Sequence, residues 1–129
     1  MKRIKLITAL VAFAILSVLV SGCAPHTSYP VSFTAGAFIG VAPGGHGPIT
    51  VEVVFSSTDI LSAVVLRHYD TPALAARPVV LVPAQVVENQ SLNVHVVAGS
   101  TVTSEGILRA IWDAVDQAGV NPASLMARR

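Results

Sequence analysis

Gly99-Ser100-Thr101-Val102-Thr103-Ser104 sets four hydroxyls directly after a glycine and directly before a helical apolar pattern. Glycine admits the positive φ of a tight turn, and a helix that begins just beyond it presents N–H groups with no partner inside the helix. Donors of that kind, with hydroxyls among them, suit a phosphate or another oxyanion. A threonine hydroxyl in such a place is also a group to which a phosphate can be esterified. The same residue types serve as ordinary caps, with Thr103 or Ser104 accepting an N–H of the first helical turn. Asp70-Thr71-Pro72 is a second polar cluster. By composition it is equally a simple turn.

Other chemistries find less support. His26, His46, His68 and His95 are scattered along the chain and there is one cysteine, so no metal-ligand spacing emerges. No phosphate-binding Walker loop, dinucleotide fingerprint or nucleophile elbow is present.

The elements that must position the two polar clusters follow from apolar periodicity. Residues 49–55, Ile-Thr-Val-Glu-Val-Val-Phe, alternate as a strand, with Thr50 and Glu52 opposite Ile49, Val51 and Val53. Polar residues 56–59 form a turn and the β-branched run 60–68 returns, which predicts an antiparallel hairpin. A further β-like region spans 33–41, set off by the turn formers Pro43-Gly44-Gly45-His46-Gly47-Pro48. Prolines at 72, 78 and 83 keep residues 71–83 from forming one long helix, and residues 83–91 read as a helix whose valines rely on packing. Residues 92–97 alternate like a strand that delivers Gly99 to its turn. Ile107, Ala110, Ile111, Ala114, Val115 and Ala118 recur at helical spacing, so a helix is expected over 103–118, with Glu105 near its positive end and Gly119 as its stop. Residues 120–129 read as a short surface tail. The expected class is α+β: a small antiparallel sheet with a C-terminal helix packed on it.

The amino end has a different character. Lys2, Arg3 and Lys5 precede an uncharged apolar run over 6–20, and Val20-Ser21-Gly22-Cys23 follows at once. This is the layout of a signal peptide over 1–22. Small residues before the single cysteine match the lipobox of bacterial lipoproteins, in which Cys23 becomes the lipidated amino terminus. The other reading is an uncleaved anchor, for which the run is short of the roughly 20 residues that span a bilayer. Residues 23–32, with two prolines, read as a lipidated tether. Cleavage would leave five arginines against seven acidic residues, a formal charge of −2, so the pI of 8.0 for the whole chain misleads. No basic patch remains to attract nucleic acid. The expected location is the extracytoplasmic face of a cell membrane.

Two motifs in this order resemble the FMN-binding domain family, which occurs within the sodium-translocating NADH:quinone oxidoreductase and within the Rnf complex. The family signature runs roughly Asp-x-x-Ser-Gly-Ala-Thr-x-Thr-Ser, and here reads His95-Val96-Val97-Ala98-Gly99-Ser100-Thr101-Val102-Thr103-Ser104. Upstream, Gly47-Pro48-Ile49-Thr50-Val51 and His68-Tyr69-Asp70-Thr71-Pro72 match the family's glycine turn with its strand and its His-x-Glu-Thr-Pro segment. The resemblance covers residues 33–119. It implies FMN as cofactor, Thr101 as the residue that a flavin transferase joins to the FMN phosphate, and Gly99, Ser100, Thr103 and Ser104 around that phosphate. It further implies Asp70 and Thr71 near the flavin, with Leu74, Val97 and Trp112 as candidates for apolar contact. His95 stands where the family has Asp, and Ala98-Gly99-Ser100 where it has Ser-Gly-Ala. The function implied is an electron carrier between a membrane donor and an extracytoplasmic acceptor or reductase. The 107 residues left after cleavage hold no recognisable substrate domain of a complete enzyme. The departures leave a second reading, a relative without flavin that serves as a binding or structural module.

On the lipobox reading, Cys23→Ser should abolish lipid labelling and either release the protein from membranes or leave its precursor unprocessed. Unchanged labelling and membrane association in a fractionation experiment would refute it.

Overall fold

The computed structural model describes residues 30–128. The expected signal peptide over 1–22, Cys23 and the tether as far as residue 29 lie outside the described residues. Three strands form one antiparallel sheet in the order β1 (Gly36–Pro43), β2 (Pro48–Phe55) and β3 (Ile60–Arg67). β2 is central, and its alternation puts Ile49, Val51, Val53 and Phe55 into the core. Phe33 stacks on Phe55 with ring centroids 4.7 Å apart, and Phe38 meets the same ring edge-on. The 49–55 strand and its hairpin with 60–68 are thus present, with register irregularities at both ends of the pairing. The region expected over 33–41 is strand from Gly36 onward.

Four helices follow: α1 (Pro72–Ala75), α2 (Pro78–Asn89), α3 (Thr101–Gln117) and α4 (Ala123–Met126). Pro72 and Pro78 each begin a helix, where a missing N–H costs nothing. Pro83 lies inside α2 and is buried, so the helix expected from residue 83 starts five residues earlier and accommodates the proline by packing. α3 packs on β1 and β2, α2 on β3, and the two helices touch. Ile107, Ala110, Ile111, Ala114 and Val115 form the buried stripe of α3. The result is α+β, a sheet with helices on one side and the C-terminal helix seated on it.

Contact between α3 and β1 is close enough to dictate a residue. A Cβ on Gly40 would coincide with the Ala110 carbonyl and lie 2.8 Å from the Ala114 nitrogen. At the edge of β1, the Val41 N–H donates to Asp113 Oδ2 (3.0 Å) and Gln117 Nε2 donates to the Ile39 carbonyl (2.8 Å).

The domain has two distinct poles. At one lie the β1–β2 turn, the end of β3 and the start of α3. At the other lie the β2–β3 turn, the end of α3 and the incoming chain, where the Phe33 N–H donates to the Ser57 carbonyl (3.0 Å) and the Thr34 N–H to the Ala118 carbonyl (2.8 Å).

Three local expectations are corrected. Residues 92–97 form no strand and have no ladder partner. The Gln85 carboxamide substitutes for one, accepting from the His95 N–H and donating to its carbonyl. α3 begins at Thr101 rather than 103, so Thr103 and Ser104 are first-turn residues and not caps; Ser100 holds the cap position without a side-chain capping bond. Residues 120–128 are no surface tail. Val120 and Leu125 are buried, and the Leu125 carbonyl accepts the Leu92 N–H, because two apolar residues five apart can fold back over the core through a single helical turn.

Gly40→Ala should therefore destabilise the domain by at least about 3 kcal/mol, since the clash falls on helix backbone rather than on a side chain free to move. Thermal unfolding of this variant against Gly45→Ala checks it. In the latter the added carbon meets only side-chain atoms, at 3.2 Å or more.

Candidate functional site

At the first pole a cavity of about 580 Å³ opens between the β1–β2 turn, the segment after β3 and the start of α3. Its lining includes Asp70 and Thr71 from one expected cluster and Gly99, Ser100, Thr101 and Thr103 from the other, residues some thirty positions apart. Gly45, His46, Leu74 and Val102 complete it. Ser104 does not reach the lining: it is fully buried beneath it.

The join between the clusters is a buried carboxylate. Asp70 is only 5% exposed, and its two oxygens point in different directions. Oδ2 accepts from the Thr103 hydroxyl at 2.7 Å, and Oδ1 accepts from the backbone N–H of His46 at 2.8 Å. Burial works against the charge. The hydrogen bonds from Thr103 and from the N–H groups of His46 and Gly45, together with the nearby His46 imidazole, outweigh it and hold the carboxyl below its ordinary range. His46 Nδ1 lies 3.6 Å from Oδ1, with most of the ring in solvent.

Each hydroxyl of the 100–104 segment has its own fate. Ser100 Oγ donates to the Leu74 carbonyl at 2.6 Å, fixing α1 against the start of α3. Thr103 is committed to Asp70. Ser104 Oγ donates to the Ser100 carbonyl (2.8 Å) and accepts the Val97 N–H (3.0 Å), so it secures the segment 92–97 below the cavity. Thr101 is exposed at the lip, and its hydroxyl has no bonding partner among the described residues. The N–H groups of Thr101, Val102 and Thr103 likewise precede the first bond of the helix, which Ser104 makes to Ser100. Gly99, with φ of +79°, makes the turn that brings residues 101–103 to the cavity lining, with nothing packed where a Cβ would stand.

This donor set fits an oxyanion. Three free N–H groups and one free hydroxyl stand together, and Leu74 and Val102 supply apolar walls for a flat ring. Of the apolar candidates, Val97 is buried in the core and Trp112 lies on α3 outside the cavity lining. His95 is exposed in the segment bound by Gln85, also outside that lining. His68 is partly buried away from the cavity, and its Nδ1 lacks a partner among the described residues. Sequence reasoning treats His46 as an isolated turn histidine; its one signal is its place between the glycines of the turn that the strand pairing carries to Asp70.

Residues 44–116 match the family described as FMN-binding domain. The chain is 32% identical over 99 residues to an NADH:acrylate oxidoreductase of Vibrio harveyi, covering 77% of this chain and 10% of that protein. It is 33% identical over 115 residues to a urocanate reductase of Eggerthella lenta, covering 84% and 19%. An uncharacterized protein of Treponema pallidum is 33% identical over 88 residues, 68% of this chain and 24% of that one. The chain thus spans a quarter or less of the length of these relatives.

Asp70 gives a signed expectation. Its lowered carboxyl contributes stability that is fully present above the unfolded value near 4 and is lost as pH falls through the folded value. Asp70→Asn should flatten that acid limb of a stability-versus-pH curve, and Asp70→Ala should cost about 2 kcal/mol at neutral pH by stranding its buried donors. Denaturant melts between pH 2 and 7 measure both; an acid limb unchanged in Asp70→Asn would contradict the assignment.

Proposed function

Because the chain belongs to the FMN-binding domain family and FMN is its cofactor, we propose that it is a lipid-anchored electron carrier on the extracytoplasmic face of a membrane, with FMN joined through its phosphate to Thr101. The observation that carries the linkage is the division of the four hydroxyls, of which Thr101 alone is exposed and unengaged. When bound, FMN supplies electron transfer through its isoalloxazine ring.

The chain's own residues do the rest. N–H groups of residues 101–103 hold the phosphate at the positive end of the α3 dipole. Thr103 and Ser104, expected around that phosphate, donate their hydrogen bonds to the Asp70 carboxylate and the Ser100 carbonyl instead, so they shape the site rather than donate to it. Leu74 and Val102 exclude water from one side of the ring, and Gly45 lets the turn backbone come close. Asp70 positions the turn and the helix start relative to each other. A flavin transferase makes the bond from an activated donor, a flavin dinucleotide: the Thr101 oxygen replaces the nucleotide on the FMN phosphorus, the nucleotide leaves with the hydroxyl hydrogen, and the protein gains FMN less one water. That two relatives are reductases many times the length of this chain supports a carrier that serves a separate reductase.

Coexpression with a flavin transferase should yield a yellow protein whose intact mass is raised by FMN less water, and Thr101→Ala should remove the whole increment while Ser100→Ala keeps it. Flavin released on denaturation would show noncovalent binding and sink the linkage alone. A colourless protein that takes up no added FMN would sink the carrier and leave the binding module.

A further inference from the structure

Asp70 sets a whole negative charge beside the helix start whose donors suit an oxyanion. Its Oδ2 takes the Thr103 hydroxyl at 2.7 Å, while the Thr103 N–H stays among the free donors of α3. Through that one residue, an anion bonded to the N–H comes within about 9 Å of the carboxylate. Salt screens exposed charges over roughly 8 Å at physiological strength, and a buried one less. Burial works against the charge of Asp70, yet the bonds from Thr103, His46 and Gly45 keep it ionised at neutral pH. The groups around it do not cancel that charge. The positive end of α3 amounts to about half an elementary charge. From the β1–β2 turn His46 brings Nδ1 to 3.6 Å of Oδ1, but its side chain is 65% exposed and cationic only when protonated. α1 carries no ionisable side chain. After β3, Tyr69 is engaged by Arg67, and on α3 Glu105 is paired with Arg109; all four stand outside the cavity lining.

We infer that Asp70 selects the charge state of the phosphate: the cavity holds it as the singly charged diester on Thr101 and disfavours the doubly charged monoester of free FMN. The inference rests on the Thr101-linked reading and assigns the charge preference of that same site. A phosphate monoester ionises a second time near pH 6 and carries about two charges at neutral pH, whereas a diester has one acidic oxygen and carries one. Half a charge of helix dipole set against a whole carboxylate leaves the site negative. Each further charge on the ligand then adds repulsion, and the lining holds no lysine or arginine to offset it. The N–H groups of residues 101–103 can satisfy phosphate oxygens in either form, so charge is what separates the two. Below the second ionisation both forms carry one charge, and a protonated His46 adds a cation beside either. At neutral pH the site therefore fills by transfer to Thr101 rather than by capture of the free cofactor.

The full chain, expressed without a transferase, can be titrated with FMN and with the methyl ester of its phosphate, a diester. Flavin fluorescence and the amide NMR shifts of residues 101–103 report binding. At pH 7.5 the methyl ester should bind at least tenfold more tightly than FMN, and at pH 5 the two should agree within threefold. Asp70 stays ionised at both values, because its carboxyl titrates below its ordinary range. Asp70→Asn should bring the two ligands within threefold at pH 7.5. His46→Lys puts a permanent cation on an exposed side chain beside the same carboxylate; it should narrow the gap at least threefold, and it keeps the test decisive if Asp70→Asn fails to fold. Equal affinities at pH 7.5, tighter binding of FMN, or a gap that survives the substitutions overturns the inference. So does a methyl ester that shows no binding. Loading by a transferase, read as intact mass, tests the linkage separately: a loaded chain with equal affinities sinks the charge preference alone, and a tenfold gap in a chain that is never loaded sinks the linkage alone.

Discussion

One buried carboxylate ties together three stretches of chain that the fold would otherwise leave separate. Asp70 follows β3, accepts from the backbone of the β1–β2 turn, and accepts from a side chain in the first turn of α3. A charge with so little exposure is expensive unless its oxygens are filled by donors, and here they are filled by groups that belong to the cavity walls. The width of the cavity is thereby set by two short hydrogen bonds.

Those bonds explain why hydroxyls that look alike in sequence differ in role. Along a helix each residue turns by about 100°, so Thr101, Thr103 and Ser104 face three directions. Thr103 faces Asp70, Ser104 faces the segment 92–97 beneath, and Thr101 faces solvent at the lip. Spacing alone establishes that hydroxyls cluster at a helix start. Which of them is available depends on the position of residue 70, which is a matter of tertiary structure.

The same division governs the fold. β2 is legible because a half-buried strand in the middle of a sheet must alternate, and α3 because its apolar stripe repeats over about three turns. The stretch 92–97 alternates just as well in sequence, yet only Leu92 and Val97 of it are buried and no ladder forms, so its period marks no strand. The helix starts two residues before its expected place because a polar first turn carries no apolar period to mark it. Val120 and Leu125 are hard to read for the opposite reason: two apolar residues make no period, yet both are buried. His46 is visible in sequence only as a turn residue, since its proximity to Asp70 depends on pairing across both hairpins.

The outer edge of β1 bears on how such domains behave when crowded. Asp113 and Gln117 of α3 occupy the amide of Val41 and the carbonyl of Ile39, and at the other side of the sheet the Gln90 carboxamide bonds both the N–H and the carbonyl of Ile60. Side chains thus imitate a neighbouring strand at both flanks, where an open ladder would invite polymerisation. A second copy that approached these edges would find the Ile39, Val41 and Ile60 groups already bonded, which leaves fewer open ladder positions for strand addition.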